Sequence, residues 1–169
     1  MSDKLTTVNR IIDEHQTIRT HIKLVGDSVN DLEGLLSLER ARPDWMLNPP
    51  ELVYEKQNKM LQTVHLLQDG LKNHFSFEEK SLPPLLGEII MRALILEHSD
   101  IRNALDGFLS TLVNTKLEGS TYEQLLAFKW NINQRIEDLR QLLEGHAGRE
   151  ETILKMMKRA LEDKGKPIA

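Results

Sequence analysis

Val8-Asn9-Arg10-Ile11-Ile12-Asp13-Glu14-His15-Gln16-Thr17-Ile18-Arg19-Thr20-His21-Ile22 is the stretch on which the fold turns. Val8, Ile11, His15, Ile18 and Ile22 follow one another at alternating steps of three and four, and the row continues through Val25, Val29, Leu32 and Leu36. Such stepping lays one apolar stripe along a long helix, and a stripe of that length must be buried against partners. One member of the stripe, His15, is not apolar.

Three further segments repeat the pattern. Met60, Val64, Leu67, Leu71, His74 and Glu78 form the second row, and Met91, Leu94, His98, Ile101, Leu105, Phe108 and Leu112 form the third. Leu125, Phe128, Ile132, Ile136, Leu139, Leu143, His146, Glu150, Ile153 and Met157 form the fourth, with one irregular step of four. Proline and glycine separate the rows at Ala41-Arg42-Pro43 through Asn48-Pro49-Pro50, at Ser81-Leu82-Pro83-Pro84 and at Lys116-Leu117-Glu118-Gly119-Ser120. Asn48 followed by Pro49 and Glu51, and Ser120 followed by Glu123, read as helix starts. The reading is all-α, an up-down-up-down antiparallel four-helix bundle in a single domain over 1–169, with helices at about 4–38, 49–80, 85–114 and 121–163.

Composition narrows the chemistry. With 40% hydrophobic, 28% charged and only 5% aromatic residues, the chain has the balance of a soluble domain packed by aliphatic side chains. A net charge of −4 without a Lys/Arg cluster argues against nucleic acid as a partner. The absence of cysteine excludes disulfides, thiolate catalysis and iron–sulfur clusters, so any metal must be held by nitrogen and oxygen. Neither a leader-like start nor a membrane-length apolar run is present, and a cytoplasmic address off the membrane is expected.

The stripes are interrupted by His15, His74, Glu78, His98, His146 and Glu150. A carboxylate is almost never buried without a partner, so something must compensate this set. The other two of the six histidines, His21 and His65, fall one residue off the rows and are expected near the surface. His74-x-x-x-Glu78 and His146-x-x-x-Glu150 each put two donors on one helix face, a turn apart. Four imidazoles and two carboxylates from four helices suit two ions better than one, of iron, zinc, manganese or copper. A common depth for the six requires α-helix four to start well beyond the end of helix three, or to break before His146, with Gly145 and Gly148 as weak points. The Glu-x-x-His pattern of ferritin-like di-iron bundles is absent.

Glu14-His15, His74-Phe75-Ser76-Phe77-Glu78-Glu79, Glu97-His98 and His146-Ala147-Gly148-Arg149-Glu150-Glu151, taken together, resemble the hemerythrin-like (HHE cation-binding) family over most of the chain. The resemblance implies a non-heme di-iron centre, with Glu78 and Glu150 bridging two iron ions and the four histidines as terminal ligands. Zinc or manganese are the alternative metals. The oxygen-carrying members have a further histidine where this chain has Arg102, which implies one ion a ligand short, open to water, to Glu79 or Glu151, or to a small molecule. The carriers' last carboxylate lies five residues after the final histidine, at Glu151. Glu150 is the better candidate here, because a step of five turns the side chain about 140° from His146. Glu79 and Glu151 then read as ordinary solvated positions.

The leading expectation is a protein that binds O2 or a related small oxidant for sensing, storage or detoxification. Ile11, Ile18, Leu71, Phe75, Ile101 and Leu143 would keep its centre dry. A di-iron enzyme (oxidase, peroxidase or nitric-oxide reductase) is the first alternative, disfavoured because no separate acid–base pair stands out. A metal-poor helical interaction bundle is the second. Trp45, Met46 and Leu47 read as loop packing or a lid, and Trp130 as an exposed residue or part of a homodimer surface.

Overall fold

The computed structural model describes residues 2–41, 49–117 and 119–163. Four helices fill them: α1 (Ser2–Ala41), α2 (Pro49–Ser81), α3 (Pro83–Asn114) and α4 (Tyr122–Glu162). Each packs chiefly on its two neighbours in chain order, and α4 closes on α1. This is the four-helix bundle that the stripes predict, with boundaries displaced by no more than three residues. The Asn48 cap, the Trp45-Met46-Leu47 segment and the side chain of Leu36 lie outside the described residues. No helix among those described is long and apolar enough to cross a membrane.

The stripes become the core as their spacing requires. Val8, Ile11, Ile22, Val25, Val29 and Leu32 are buried in α1, and Met60, Val64, Leu67 and Leu71 in α2. Most of these join one large cluster with Phe75, Phe108, Ile132 and Leu139. A smaller cluster of Val8, Ile11, Leu82, Met91, Leu94 and Leu154 fills the other end. Between the two lie the six polar stripe residues, all buried. The bundle therefore has a polar layer held between two apolar plugs.

The connections depart from the sequence reading in three places. Between α2 and α3 the break shrinks to Leu82, whose N–H still donates to Glu78 O at 2.9 Å. Pro83 and Pro84 lack N–H groups and so suit the unbonded first turn of α3. The bend falls instead at Gly87, with φ 76° and ψ 170°, a conformation that a side chain would strain. At the start of α4 the cap is Thr121 with Gln124, not Ser120 with Glu123. Gln124 N donates to Thr121 Oγ1 at 3.3 Å, and Thr121 N donates to Gln124 Oε1 at 2.8 Å. Gly119 (φ 73°) turns the chain just ahead of Ser120, and the Ser120 hydroxyl donates to Lys116 O instead of capping the helix.

The depth problem is solved by stagger, not by breakage. α4 runs unbroken through Gly145 and Gly148, with 24 residues ahead of His146, while α3 has 16 beyond His98. At a rise of about 1.5 Å per residue, α4 starts about 12 Å further out than α3 ends. Gln57 supports that early end, donating to the Leu112 and Thr115 carbonyls at 3.2 and 2.8 Å.

Candidate metal centre

Each helix delivers its polar residues to the layer by the same stepping that buries its apolar ones. His15 comes from α1, His74 and Glu78 from α2, His98 from α3, and His146 and Glu150 from α4. Glu78, His98 and Glu150 are 0% exposed, so bulk water does not compensate them. His15, His74, Glu78, His146 and Glu150 each offer one donor atom to a group lying within 4.8 Å. His98 joins through Glu78, its Nε2 lying 3.1 Å from Glu78 Oε2.

Glu78 organises the layer. Its Oε1 lies 2.7 Å from His74 Nε2 and 3.5 Å from His15 Nε2, and its Oε2 lies 3.1 Å from His98 Nε2 and 3.8 Å from His146 Nε2. One carboxylate thus faces two pairs of imidazoles, one pair per oxygen. Glu150 reaches across both pairs, its Oε2 lying 3.4 Å from His15 Nε2 and 3.3 Å from His146 Nε2. The four imidazoles divide two and two, and the side chain at Arg102 adds no fifth.

Both oxygens of Glu78, both of Glu150 and the Nε2 atoms of all four histidines are buried without a hydrogen-bond partner. Where Nδ1–H is already donated outward, as from His74 to Glu14 at 2.8 Å, Nε2 carries a lone pair. That lone pair faces a carboxylate lone pair, an unfavourable arrangement that a proton or a cation between them relieves. The donor set fits the cation. Nitrogen and carboxylate oxygen are the ligands of iron, zinc and manganese, and their convergence from four helices leaves the central side of every donor free.

The electrostatics show the same tension. Burial opposes charge on Glu78, yet the close approach of His146, His15, His74 and His98 holds its carboxyl far below the usual range. Burial and the neighbouring Glu78 charge push Glu150 up, against the pull of His15 and His146. Burial also resists charge on His15, but Glu150 and Glu78 push it up to about 9. His146 rises for similar reasons, Glu78 and Glu150 outweighing burial. The centre without metal therefore draws protons, whose place a metal ion would take.

Glu79 and Glu151 are not ordinary solvated positions, and neither faces the centre. Glu79 Oε1 accepts from His98 Nδ1 at 2.8 Å and from Arg102 at 3.0 Å. Glu151 Oε1 accepts from Arg19 at 2.7 Å and stands 3.3 Å from His15 Nδ1. Arg102 leans outward over the Phe75 ring, 5.2 Å from its centroid. Phe75 stacks on His98 at 4.0 Å and makes a T-shaped pair with His146. Ile11, Leu71, Phe75, Ile101 and Leu143 are buried around the layer, and Ile18 is partly buried. His65 is exposed, His21 partly so, and Trp130 is 73% exposed.

The sequence reading missed Glu14 and Glu97 as partners of the layer. Glu14 Oε2 accepts from His74 Nδ1 at 2.8 Å, and Glu97 Oε2 from His146 Nδ1 at 3.0 Å. Their signal was adjacency, since each immediately precedes a stripe histidine.

Comparison with known proteins agrees with this geometry. Neither a curated protein nor a solved structure matches the chain. The model of one family, the hemerythrin HHE cation-binding domain, matches residues 6–158, a span that contains the whole polar layer. The chain belongs to the hemerythrin HHE cation-binding family.

Proposed function

We propose that this chain is a non-heme di-iron protein that binds O2 or a related small oxidant for sensing, storage or detoxification. The observation that carries the proposal is the division of four inward Nε2 atoms between the two oxygens of Glu78. A carboxylate with an imidazole pair on each oxygen suits two ions held side by side. In this reading His15 and His74 would hold one, His98 and His146 would hold the other, and Glu78 and Glu150 would supply carboxylate oxygens to both. Iron is preferred on the family's chemistry, and such a pair supplies reversible one-electron steps close to a small ligand.

The protein's own part is to hold and to exclude. The carboxylates offset the charge of the ions, and the apolar plugs on either side keep bulk water from the layer. Arg102, turned outward, adds no donor where the carriers have a histidine, so each ion would have two imidazoles and room for an exogenous ligand. A binding protein is preferred to an oxidase, peroxidase or nitric-oxide reductase because the carboxylates nearest the layer are committed to imidazoles and arginines, not free to move protons. A cytoplasmic setting belongs to the same reading.

The test is reconstitution with Fe(II) under anaerobic conditions, followed by an optical spectrum on adding O2, azide or NO. The proposal expects a ferric charge-transfer band that moves with the added ligand. A protein that stays colourless and retains no iron would refute it. Rapid catalytic turnover of peroxide or NO would transfer the reading to the enzyme class.

A further inference from the structure

Around the polar layer lies a second set of contacts with a regularity of its own. Glu14 of α1 accepts from His74 of α2, and Glu79 of α2 accepts from His98 of α3. Glu97 of α3 accepts from His146 of α4, and Glu151 of α4 lies beside Nδ1 of His15 on α1. Each helix lends one carboxylate to the imidazole of the next, and the fourth returns to the first. The last link is the weakest, at 3.3 Å without the alignment of a hydrogen bond.

Each of these carboxylates is also held by an arginine. Arg10 donates to Glu14 at 2.7 Å, Arg102 to Glu79 at 3.0 Å, Arg149 to Glu97 at 2.7 Å and Arg19 to Glu151 at 2.7 Å. In three cases the arginine sits one turn beyond the histidine it serves, as His15-x-x-x-Arg19, His98-x-x-x-Arg102 and His146-x-x-Arg149. Histidine and arginine of one helix therefore grip a carboxylate of the neighbouring one. On α2 the corresponding place is taken by Glu78 itself, and Arg10 holds Glu14 from within α1.

We infer that Glu14, Glu79 and Glu97 are positioning residues, which act through His74, His98 and His146 to aim their Nε2 atoms at the centre before any metal arrives, while Glu151 stands in the same relation to His15 without a hydrogen bond. The inference rests on the metal reading of the layer and extends it outward. Its chemistry is direct. An imidazole whose Nδ1–H is donated to a carboxylate has one lone pair left, on Nε2, so the acceptor selects the atom that meets the metal. The arginine keeps that acceptor anionic and cancels its charge. Four carboxylates and four arginines leave the ring neutral, so the central charge balance remains that of Glu78, Glu150 and the ions. Arg102 thereby has a role matching that of Arg19 and Arg149, as a clamp on an outer carboxylate.

The experiment compares Glu97→Ala with Glu97→Gln, the second of which keeps an acceptor in place. In metal-free protein carrying 15N-histidine, the Nδ1 protons of His74, His98 and His146 should exchange slowly with solvent. Glu97→Ala should speed exchange of the His146 proton at least about tenfold and leave the other two unchanged, whereas Glu97→Gln should largely preserve it. Anaerobic titration with Fe(II) should show affinity about 10- to 100-fold lower in Glu97→Ala, the range found when such partners of metal-bound histidines are removed, with partial recovery in Glu97→Gln. A His146 Nδ1 proton equally protected in Glu97→Ala would overturn the inference. So would unchanged Fe(II) affinity in that variant. If the wild-type protein takes up no iron, the functional proposal falls, while the exchange measurement still decides the ring.

Discussion

The main apolar cluster and the polar layer occupy the same stripe positions of the same four helices, yet they have opposite thermodynamic characters. In the cluster, Phe108, Ile132 and Leu139 at 0% exposure satisfy each other by contact alone. In the layer, Glu78 and Glu150 at the same exposure face nitrogen lone pairs and each other. The cluster stabilises the bundle as it stands. The layer would stabilise it with a cation or protons in the centre, so metal affinity and folding energy would be linked there. The same period that builds a core builds a site once six of its members are exchanged for donors.

The sharpest way to break this contrast is to exchange the roles of the two regions by mutation. Glu78→Ala removes the one side chain that faces all four imidazoles and should abolish stoichiometric iron uptake, measured by metal analysis after gel filtration. Uptake equal to wild type would show that the layer is not the site. Phe108→Ala is the opposite case. It should cost about 3–5 kcal/mol of unfolding free energy in a denaturant titration of metal-free protein while leaving iron stoichiometry unchanged. Loss of metal along with stability would mean that the two regions are not separable.

A pH series sharpens the comparison without mutation. His15 is raised to about 9 in the folded, metal-free bundle by Glu150 and Glu78 working against burial. Its unfolded value is about 6.5. A group raised on folding contributes stability that is complete below its unfolded pKa and is lost as pH climbs to the folded one. Metal-free protein should therefore lose stability between pH 6.5 and about 9, seen as a falling melting temperature. Iron-loaded protein should not show that fall, because the ion replaces the proton. A rise in metal-free stability across the window would contradict the sign.

The smallest expected effect lies far from the polar layer. Thr121→Ala removes the cap of α4 and should cost about 1 kcal/mol with no change in metal binding. Ser120→Ala should cost less. The reverse order would restore the cap to the residue the sequence first suggests.

That one-residue error shows where the sequence stops being legible. Ser120 with Glu123 and Thr121 with Gln124 satisfy the same pattern, and the choice between them depends on where Gly119 turns the chain. The four helices and six inward residues were readable because burial of a stripe depends only on its period, which is local. Gly87 was not, since its unusual backbone records how α3 must be redirected after Leu82 packs into the smaller cluster. The stagger of α4 was foreseen only as one of two alternatives, because helix ends reveal nothing about their relative height. Glu79 and Glu151 were misread as solvated for a related reason. They sit one residue off the stripe, and their use depends on which way the neighbouring helix rotates its histidine. His98-x-x-x-Arg102 beside Glu97 was in plain view, but its meaning required a partner from α2.

The central claim is that the layer between the two apolar plugs holds two iron ions, one for each imidazole pair. The most direct measurement is an anaerobic Fe(II) titration of metal-free protein, followed optically and closed by metal analysis of the desalted product. Two irons retained per chain is the predicted result, with His98→Ala reducing the count while His65→Ala leaves it at two. One iron at saturation, none, or an equal loss on removing the exposed His65 would contradict it.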